Sequence, residues 1–129
     1  MESSALVDTS AWIDFFRRKD PCFTVVSKLM RDDAALTLPL IVAELIQGAR
    51  TKSEIRELKE LLTVFPVLQE SEQTWPQAGE LAFQLKQSGI HPGLADCFIA
   101  VMCMHHSVPL LTLDKHFEQI KAKTSLRLF

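Results

Sequence analysis

The sequence predicts an α/β protein in which helices alternate with short strands around a parallel sheet, and three observations support this prediction. The chain has 129 residues, 47% of them hydrophobic, which suits one core and therefore a single domain over residues 1–129. Short apolar runs alternate with longer segments in which apolar residues recur at helical spacing. Four glycines and six prolines are too few for a chain rich in linkers.

The apolar runs and the helical spacings give the order of the elements. Thr9 or Ser10 is expected to cap the first helix, and Pro39 suits the first turn of a later one. Pro66 limits its own run to an edge or a short strand. The predicted strands cover residues 5–7, 35–38, 64–68, 108–113 and 126–128. The predicted helices include residues 12–16, 25–30, 39–48, 52–62, 71–88, 94–102 and 114–120.

Charge and cysteine content exclude several classes of protein. The net charge of −2, from 14 basic and 16 acidic residues, argues against a protein that coats nucleic acid by electrostatics alone. The three cysteines are odd in number and form no Cys-x-x-Cys pair, so neither a disulfide framework nor a zinc site is expected. The first eight residues lack the basic and apolar regions of a signal peptide, and no apolar stretch approaches the ~20 residues that cross a bilayer. We therefore expect a cytoplasmic protein that does not contact membranes.

Four acidic residues, Asp8, Glu44, Asp96 and Asp114, lie beside or within apolar segments. Asp8 and Asp114 are predicted at the carboxyl ends of strands, where parallel α/β sheets bind their ligands. Asp96 is predicted in the first turn of a buried helix, where the helix dipole favours an anion. Buried acids are usually paired with a base or gathered around a cation, because an isolated buried carboxylate is costly. If Glu44 projects into the same crevice, the four make an all-oxygen site that suits Mg²⁺ or Mn²⁺.

Three of these acids also have a structural explanation. Asp8 and Asp114 can be helix N-caps, and Asp96 can simply be a partner of the helix dipole. Glu44 has neither explanation, because it lies between two apolar residues within a helical segment. The interpretation as a cation site therefore depends on all four acids converging in space.

Four segments of the chain carry these acids in recognisable contexts. They read VDTSAWID from residue 7, ELIQGAR from residue 44, DCFIA from residue 96 and LTLDKHF from residue 111. In order and spacing they resemble the successive motifs of PIN-domain ribonucleases, in particular the VapC-type toxins of toxin–antitoxin pairs. The resemblance covers nearly the whole chain. It implies a three-layer α/β/α sandwich with a central, mostly parallel sheet, and metal-dependent hydrolysis of RNA phosphodiester bonds.

The resemblance also implies roles for individual residues. Asp8, Glu44, Asp96 and Asp114 match the family acids that bind Mg²⁺ or Mn²⁺ and carry the catalysis. Asp8 and Asp96 are expected to hold the cation that activates a water, and Glu44 to orient or deprotonate that water. Asp114 is expected to hold a second cation or an outer-shell water. The hydroxyl positions that support the acids or bound waters in the family are matched by Thr9, Ser10 and Thr112.

The last motif departs from the family pattern. His116 stands directly before the phenylalanine, where the family often has an acid, so Asp114 is the only acid of this motif. The basic residues near the motifs that we consider candidates for RNA binding are Arg50, Lys52, Lys115 and His116. The resemblance implies two protein partners as well, a second copy in a homodimer and a small VapB-like antitoxin.

Two other interpretations were compared with this one. A phosphatase of the haloacid dehalogenase type would carry Asp-x-Asp after the first strand, but position 10 is a serine. A receiver-like phosphoacceptor would carry an aspartate after its third strand and a lysine after its fifth, and neither pattern is visible. The remaining alternative is a catalytically silent PIN-like module that binds RNA or a protein partner. A measurement of divalent-metal affinity would distinguish this module from a metal-dependent nuclease.

Overall fold

Three parallel strands form the centre of the structure, a computed structural model that describes residues 4–129. Strand β1 (Ala5–Val7) lies between β2 (Ala35–Leu36) and β3 (Leu110–Leu111), and all their side chains are buried. Strands covered on both faces read as unbroken apolar runs, which is why these segments were recognisable. The part of the signal-peptide expectation that concerns residues 1–3 lies outside the described residues.

Single bridges extend the sheet at both edges. Thr37 pairs in parallel with Val67, and Leu110 pairs in parallel with Leu128. The predicted edge strands over 64–68 and 126–128 are therefore present only as one bridge each. Pro66 has no N–H, and it contributes its carbonyl, which accepts from the Thr37 N–H at 3.0 Å.

Seven helices flank this sheet in the part of the chain that the structure describes, which confirms the predicted α/β sandwich. Helix α6 has the longest buried stretch among them, because residues 97–103 within it are all buried. The three cysteines are buried, unpaired thiols, as expected. No helix of the described residues is long and apolar enough to span a membrane. The helices are α1 (Thr9–Phe16), α2 (Cys22–Arg31), α3 (Pro39–Gln47), α4 (Lys52–Leu62), α5 (Thr74–Gln87), α6 (Leu94–His105) and α7 (His116–Lys123).

The start of α1 corrects one prediction. Neither Thr9 nor Ser10 caps the helix, because they are its first two residues and Asp8 occupies the N-cap position. Their hydroxyls bond instead to carboxylates that come together beside the sheet. The expectation that Thr9 or Ser10 is the cap was therefore wrong, and both hydroxyls bind side-chain carboxylates instead of the helix backbone.

Two further boundaries differ from the prediction for local reasons. The helix predicted over 71–88 begins only at Thr74, because the Ser71 N–H donates to the Thr74 hydroxyl at 2.9 Å and forms a turn. The strand predicted over 108–113 is reduced to two residues. Pro109 cannot donate to a strand ladder, and the Leu113 N–H donates to the Ser10 hydroxyl instead of to a strand.

Candidate functional site

The strand register brings the first and last predicted acids to one edge of the sheet. Val7 pairs with Leu111, and the Asp8 N–H donates to the Leu111 carbonyl at 2.9 Å. Asp8 therefore lies next to Thr112, at the carboxyl ends of two neighbouring parallel strands. Asp114 follows two residues later, so the backbone alone places both acids in the region where such sheets bind ligands.

Two hydroxyls hold the Asp8 carboxylate, which is buried. Thr112 Oγ1 donates to Asp8 Oδ2 at 2.7 Å, and Ser10 Oγ donates to the same oxygen at 3.2 Å. The two hydroxyl oxygens are 3.3 Å apart. Hydroxyl donors stabilise the ionised carboxylate and fix its orientation. A carboxylate that binds a ligand or a metal ion needs such a fixed orientation.

The same two hydroxyls also accept hydrogen bonds from the loop that follows β3. Ser10 Oγ accepts from the Leu113 N–H at 2.9 Å, and Thr112 Oγ1 accepts from the Asp114 N–H at 3.0 Å. Each hydroxyl thus links Asp8 to the backbone that carries Asp114. The position of one acid is thereby coupled to the position of the other.

Glu44 is oriented by the first residue of α1. Thr9 Oγ1 donates to Glu44 Oε1 at 2.7 Å across the α1–α3 contact. Thr9 and Ser10 are consecutive in the helix, so their side chains leave it in different directions. Thr9 therefore supports Glu44 while Ser10 supports Asp8, an arrangement that explains both hydroxyls.

Asp96, Asp114 and His116 form a compact set of potential metal ligands. One donor atom from each lies within 4.8 Å of the others. His116 Nδ1 is 3.3 Å from Asp114 Oδ1 and 4.0 Å from Asp96 Oδ2. Asp114 Oδ1 also accepts from the His116 N–H at 2.9 Å. That bond engages one of its two oxygens. The N-cap role considered for Asp114 is nevertheless not observed, because Lys115 occupies the N-cap position of α7.

The pKa values show that these acids share one electrostatic environment. Burial, then the negative charges of Asp114 and Asp8, raises the pKa of Asp96 from 3.8 to about 6. His116 acts in the opposite direction, and Glu44 adds a smaller increase to the pKa of Asp96. Burial also raises the pKa of Asp8, against the hydrogen bonds from Thr112 and Ser10. The charged form of Asp96 is therefore disfavoured by the negative charges of the other three acids, in addition to its burial.

No lysine or arginine relieves this repulsion. Within residues 4–129, no Lys or Arg nitrogen lies within 4.0 Å of any of the four carboxylates, and His116 is the one basic side chain that does. Structural buried acids usually have such a partner. Asp96, Asp114 and His116 could instead hold a metal ion between them.

The basic residues predicted to bind RNA are not part of this cluster, His116 excepted. Lys115 is exposed and directly precedes α7, while Lys52 is exposed at the start of α4. Arg50 lies in the loop between α3 and α4, where its N–H donates to Glu54 Oε2 at 2.9 Å. None of these three contacts an acid of the cluster, so their role stays a prediction.

A groove between α1, α3 and α4 was not predicted. Its volume is about 590 Å³, and its apolar wall includes Ile13 and Phe16, which are 37% and 38% exposed. The apolar residues of α1 divide between the core and this groove, because Trp12 is fully buried whereas Ile13 and Phe16 stay partly exposed. The residues that line this α1–α3–α4 groove are Ile13, Phe16, Arg17, Leu45, Gly48, Ala49, Arg50, Glu54, Glu57, Leu58 and Leu61.

Known proteins resemble this chain in both sequence and structure. A family model described as PIN domain matches residues 5–123. Ribonuclease VapC11 from Mycobacterium tuberculosis is 25% identical over 127 residues, which cover 95% of each chain. The structure of VapBC-1 from nontypeable Haemophilus influenzae superposes with a TM-score of 0.76 at 26% identity, covering 97% of this chain and 96% of that one. The structure of VapBC2 from Rickettsia felis, solved bound to a DNA fragment from its promoter, superposes with a TM-score of 0.77 at 18% identity. The match covers 97% of this chain and 96% of that one.

Proposed function

Because this chain belongs to the PIN domain family, we propose that it is a divalent-metal-dependent ribonuclease and the toxin of a VapBC-type toxin–antitoxin pair. The observation that carries the proposal is the gathering of Asp8, Asp96 and Asp114 at the carboxyl end of the sheet, where residues 4–129 provide no lysine or arginine partner. The named function of the VapC ribonucleases that match 95% of the chain supports the RNA substrate.

The donor atoms of the cluster suit a hard divalent cation. Carboxylate oxygens are the ligands that Mg²⁺ and Mn²⁺ prefer, and the mutual repulsion expressed in the raised pKa of Asp96 is relieved when a cation binds. Asp8, Asp96 and Asp114 would hold it. A bound Mg²⁺ or Mn²⁺ supplies a Lewis acid that lowers the pKa of water and offsets negative charge on the phosphoryl oxygens.

The protein groups then have separate tasks in the hydrolysis. Glu44 Oε1 accepts a hydrogen bond from the Thr9 hydroxyl, and we assign Oε2 to accept a proton from the water that attacks phosphorus. The new bond from the water oxygen to phosphorus replaces the bond from phosphorus to one ribose oxygen, which leaves and takes a proton from solvent. Asp8 is fixed by Thr112 and Ser10, so it does not have to reorganise during the reaction. The Thr112 hydroxyl bonds both to the Asp8 carboxylate and to the Asp114 N–H, so it fixes the position of Asp8 relative to the backbone of Asp114.

Binding of RNA needs positive charge that the acid cluster does not provide. The net charge of −2 gives no general attraction for a polyanion. We propose that Arg50, Lys52 and Lys115, exposed on loops and helix starts near the motifs, contact the phosphates. His116, unlike these three residues, lies within the cluster itself.

The partners follow from the same family relationship. We propose a homodimer, and a small VapB-like antitoxin as the neutralising partner in the cytoplasm. The α1–α3–α4 groove offers such a protein an apolar wall beside the exposed charges of Arg17, Arg50 and Glu54. Light scattering coupled to size-exclusion chromatography measures the mass of the purified chain and thereby tests the homodimer.

The ribonuclease proposal is tested by cleavage of a mixed RNA pool. Purified chain, freed from any bound inhibitor by denaturation and refolding, is incubated with Mg²⁺ or Mn²⁺ and, in parallel, with EDTA. We expect cleavage only with cation, and a loss of at least about a hundredfold in Asp8→Asn and Asp96→Asn. Asp32→Asn, which changes an exposed acid at the end of α2, is the matched control and should cleave as the wild type does.

The alternative, a silent PIN-like module, makes different predictions in the same experiment. A folded wild type that cleaves no RNA at saturating cation would overturn the proposal and favour this alternative. Circular dichroism of each variant shows whether a loss of cleavage reflects the site or the fold.

A further inference from the structure

Among the described residues, His116 is the one that places a side-chain nitrogen beside the carboxylates of the cluster. It is the first residue of α7, and its side chain is 70% exposed, whereas the side chain of Asp96 is 24% exposed. The backbone holds it in place, because its N–H donates to Asp114 Oδ1. The imidazole is thus tethered at the open side of the acid cluster.

The distances around His116 match those within the coordination shell of one cation. Ligand atoms about 2.1 Å from an octahedral ion lie ~3.0 Å apart when adjacent and ~4.2 Å apart when opposite. His116 Nδ1 is 3.3 Å from Asp114 Oδ1 and 4.0 Å from Asp96 Oδ2. Both distances from His116 Nδ1 therefore fit a shared ion, and the donor atoms of all three side chains lie within 4.8 Å of one another.

An ion pair between His116 and the aspartates is a weaker explanation for this position. Exposed ion pairs contribute little to stability, so an imidazole that is 70% exposed has no strong structural reason to face two carboxylates. Histidine also differs from a lysine in the same place, because the neutral imidazole has a lone pair to offer a metal.

An imidazole ligand changes which cations the site prefers. Mg²⁺ favours oxygen donors and gives up its water reluctantly, whereas first-row transition ions accept imidazole nitrogen readily. A site with three carboxylates and one imidazole should therefore discriminate against Mg²⁺ more strongly than an all-oxygen site does.

We infer that His116 Nδ1 is a direct ligand of the catalytic cation, and that it makes this site select Mn²⁺ over Mg²⁺. The inference rests on the proposed function, since it concerns the cation of the same site. It goes beyond that proposal because it assigns a fourth ligand and a metal preference that are particular to this chain.

Binding of Mn²⁺ and Mg²⁺ alone, measured by isothermal titration calorimetry without RNA, tests the inference. We expect His116→Gln to lower Mn²⁺ affinity about tenfold and to change Mg²⁺ affinity by less than about threefold. His116→Asp, which restores an all-oxygen site, should shift the preference towards Mg²⁺. His105→Gln, which changes an exposed histidine at the end of α6, is the matched control and should leave both affinities unchanged.

Pulsed electron paramagnetic resonance of the Mn²⁺ complex gives a second readout. Modulation from a coordinated imidazole nitrogen should be present in the wild type and absent in His116→Gln. A persistent nitrogen signal, or an unchanged ratio of Mn²⁺ to Mg²⁺ affinity in that variant, would overturn the inference. If Asp96→Asn then abolishes binding of both cations while His116→Gln has no effect, the ribonuclease proposal survives and only the role of His116 fails. A wild type that binds neither cation contradicts both.

Discussion

Among single residues, Thr112 has the most informative position. Its hydroxyl donates to Asp8 and accepts from the backbone N–H of Asp114, so one side chain aligns two of the proposed metal ligands. Sequence resemblance predicted a supporting hydroxyl here, but not which oxygen it would bond. That detail depends on the register of β1 and β3, which no local pattern in the sequence encodes.

Thr112→Val should weaken cation binding while keeping the shape of the side chain. The Asp8 carboxylate loses its shortest hydroxyl donor, and residues that orient metal ligands typically contribute ~10–100-fold to affinity. We therefore expect Mn²⁺ affinity to fall about tenfold in calorimetry. Thr63→Val, which removes an exposed hydroxyl at the end of α4, serves as the control, and equal affinities in the two variants would contradict the role of Thr112.

Asp96 should make the stability of the cation-free protein depend on pH. Its pKa is about 6 in the folded chain against 3.8 ordinarily, so the folded state binds more protons than the unfolded state between these values. The free energy of unfolding should accordingly fall as the pH rises from about 4 to about 6.

Asp96→Asn isolates this contribution. Urea unfolding in EDTA, followed across the same pH range, should show a smaller loss of stability with rising pH in the variant than in the wild type. Asp8 acts in the same direction because its pKa is also raised, so some slope should remain. Parallel curves for the wild type and Asp96→Asn would show that the carboxyl of Asp96 is not perturbed.

At the scale of elements, the sequence predicted the helices better than the strands. Each helix has an apolar stripe that repeats along several turns, whereas β2 and β3 are two residues long and depend on their neighbours. The outer strands over 64–68 and 126–128 shrink to single bridges for the same reason. The prediction of the α1 cap failed for a different reason. Ser and Thr at a helix start are ordinary caps unless a nearby carboxylate competes for the hydroxyl.

The start of α4 offers a test of an element that lies outside the acid cluster. Thr51 Oγ1 accepts from the Glu54 N–H at 3.1 Å, and Glu54 reaches back to the Arg50 N–H. Loss of this cap in Thr51→Ala should lower the free energy of unfolding by about 1 kcal/mol. Chemical denaturation measures it, with the exposed Ser53→Ala in the same turn as a control that should change by less than ~0.5 kcal/mol. A Thr51→Ala protein as stable as the wild type would refute the cap.

For the whole molecule, the sequence predicted the position of the site more completely than its surroundings. Asp8 and Asp114 were predicted together because carboxyl ends of parallel strands meet at one edge of a sheet. Glu44 was included only because its context was unusual and matched a family motif. The α1–α3–α4 groove was missed, since it arises where three helices distant in sequence pack against one another.

We propose above all that one divalent-cation site assembles at the carboxyl end of the sheet. The most direct measurement is anomalous X-ray diffraction from crystals soaked in Mn²⁺, recorded at the manganese absorption edge. We predict an anomalous peak bordered by the carboxylates of Asp8, Asp96 and Asp114, and its loss in crystals of Asp96→Asn. Well-ordered wild-type crystals with no peak there at saturating Mn²⁺, or with peaks only elsewhere on the molecule, would contradict the account.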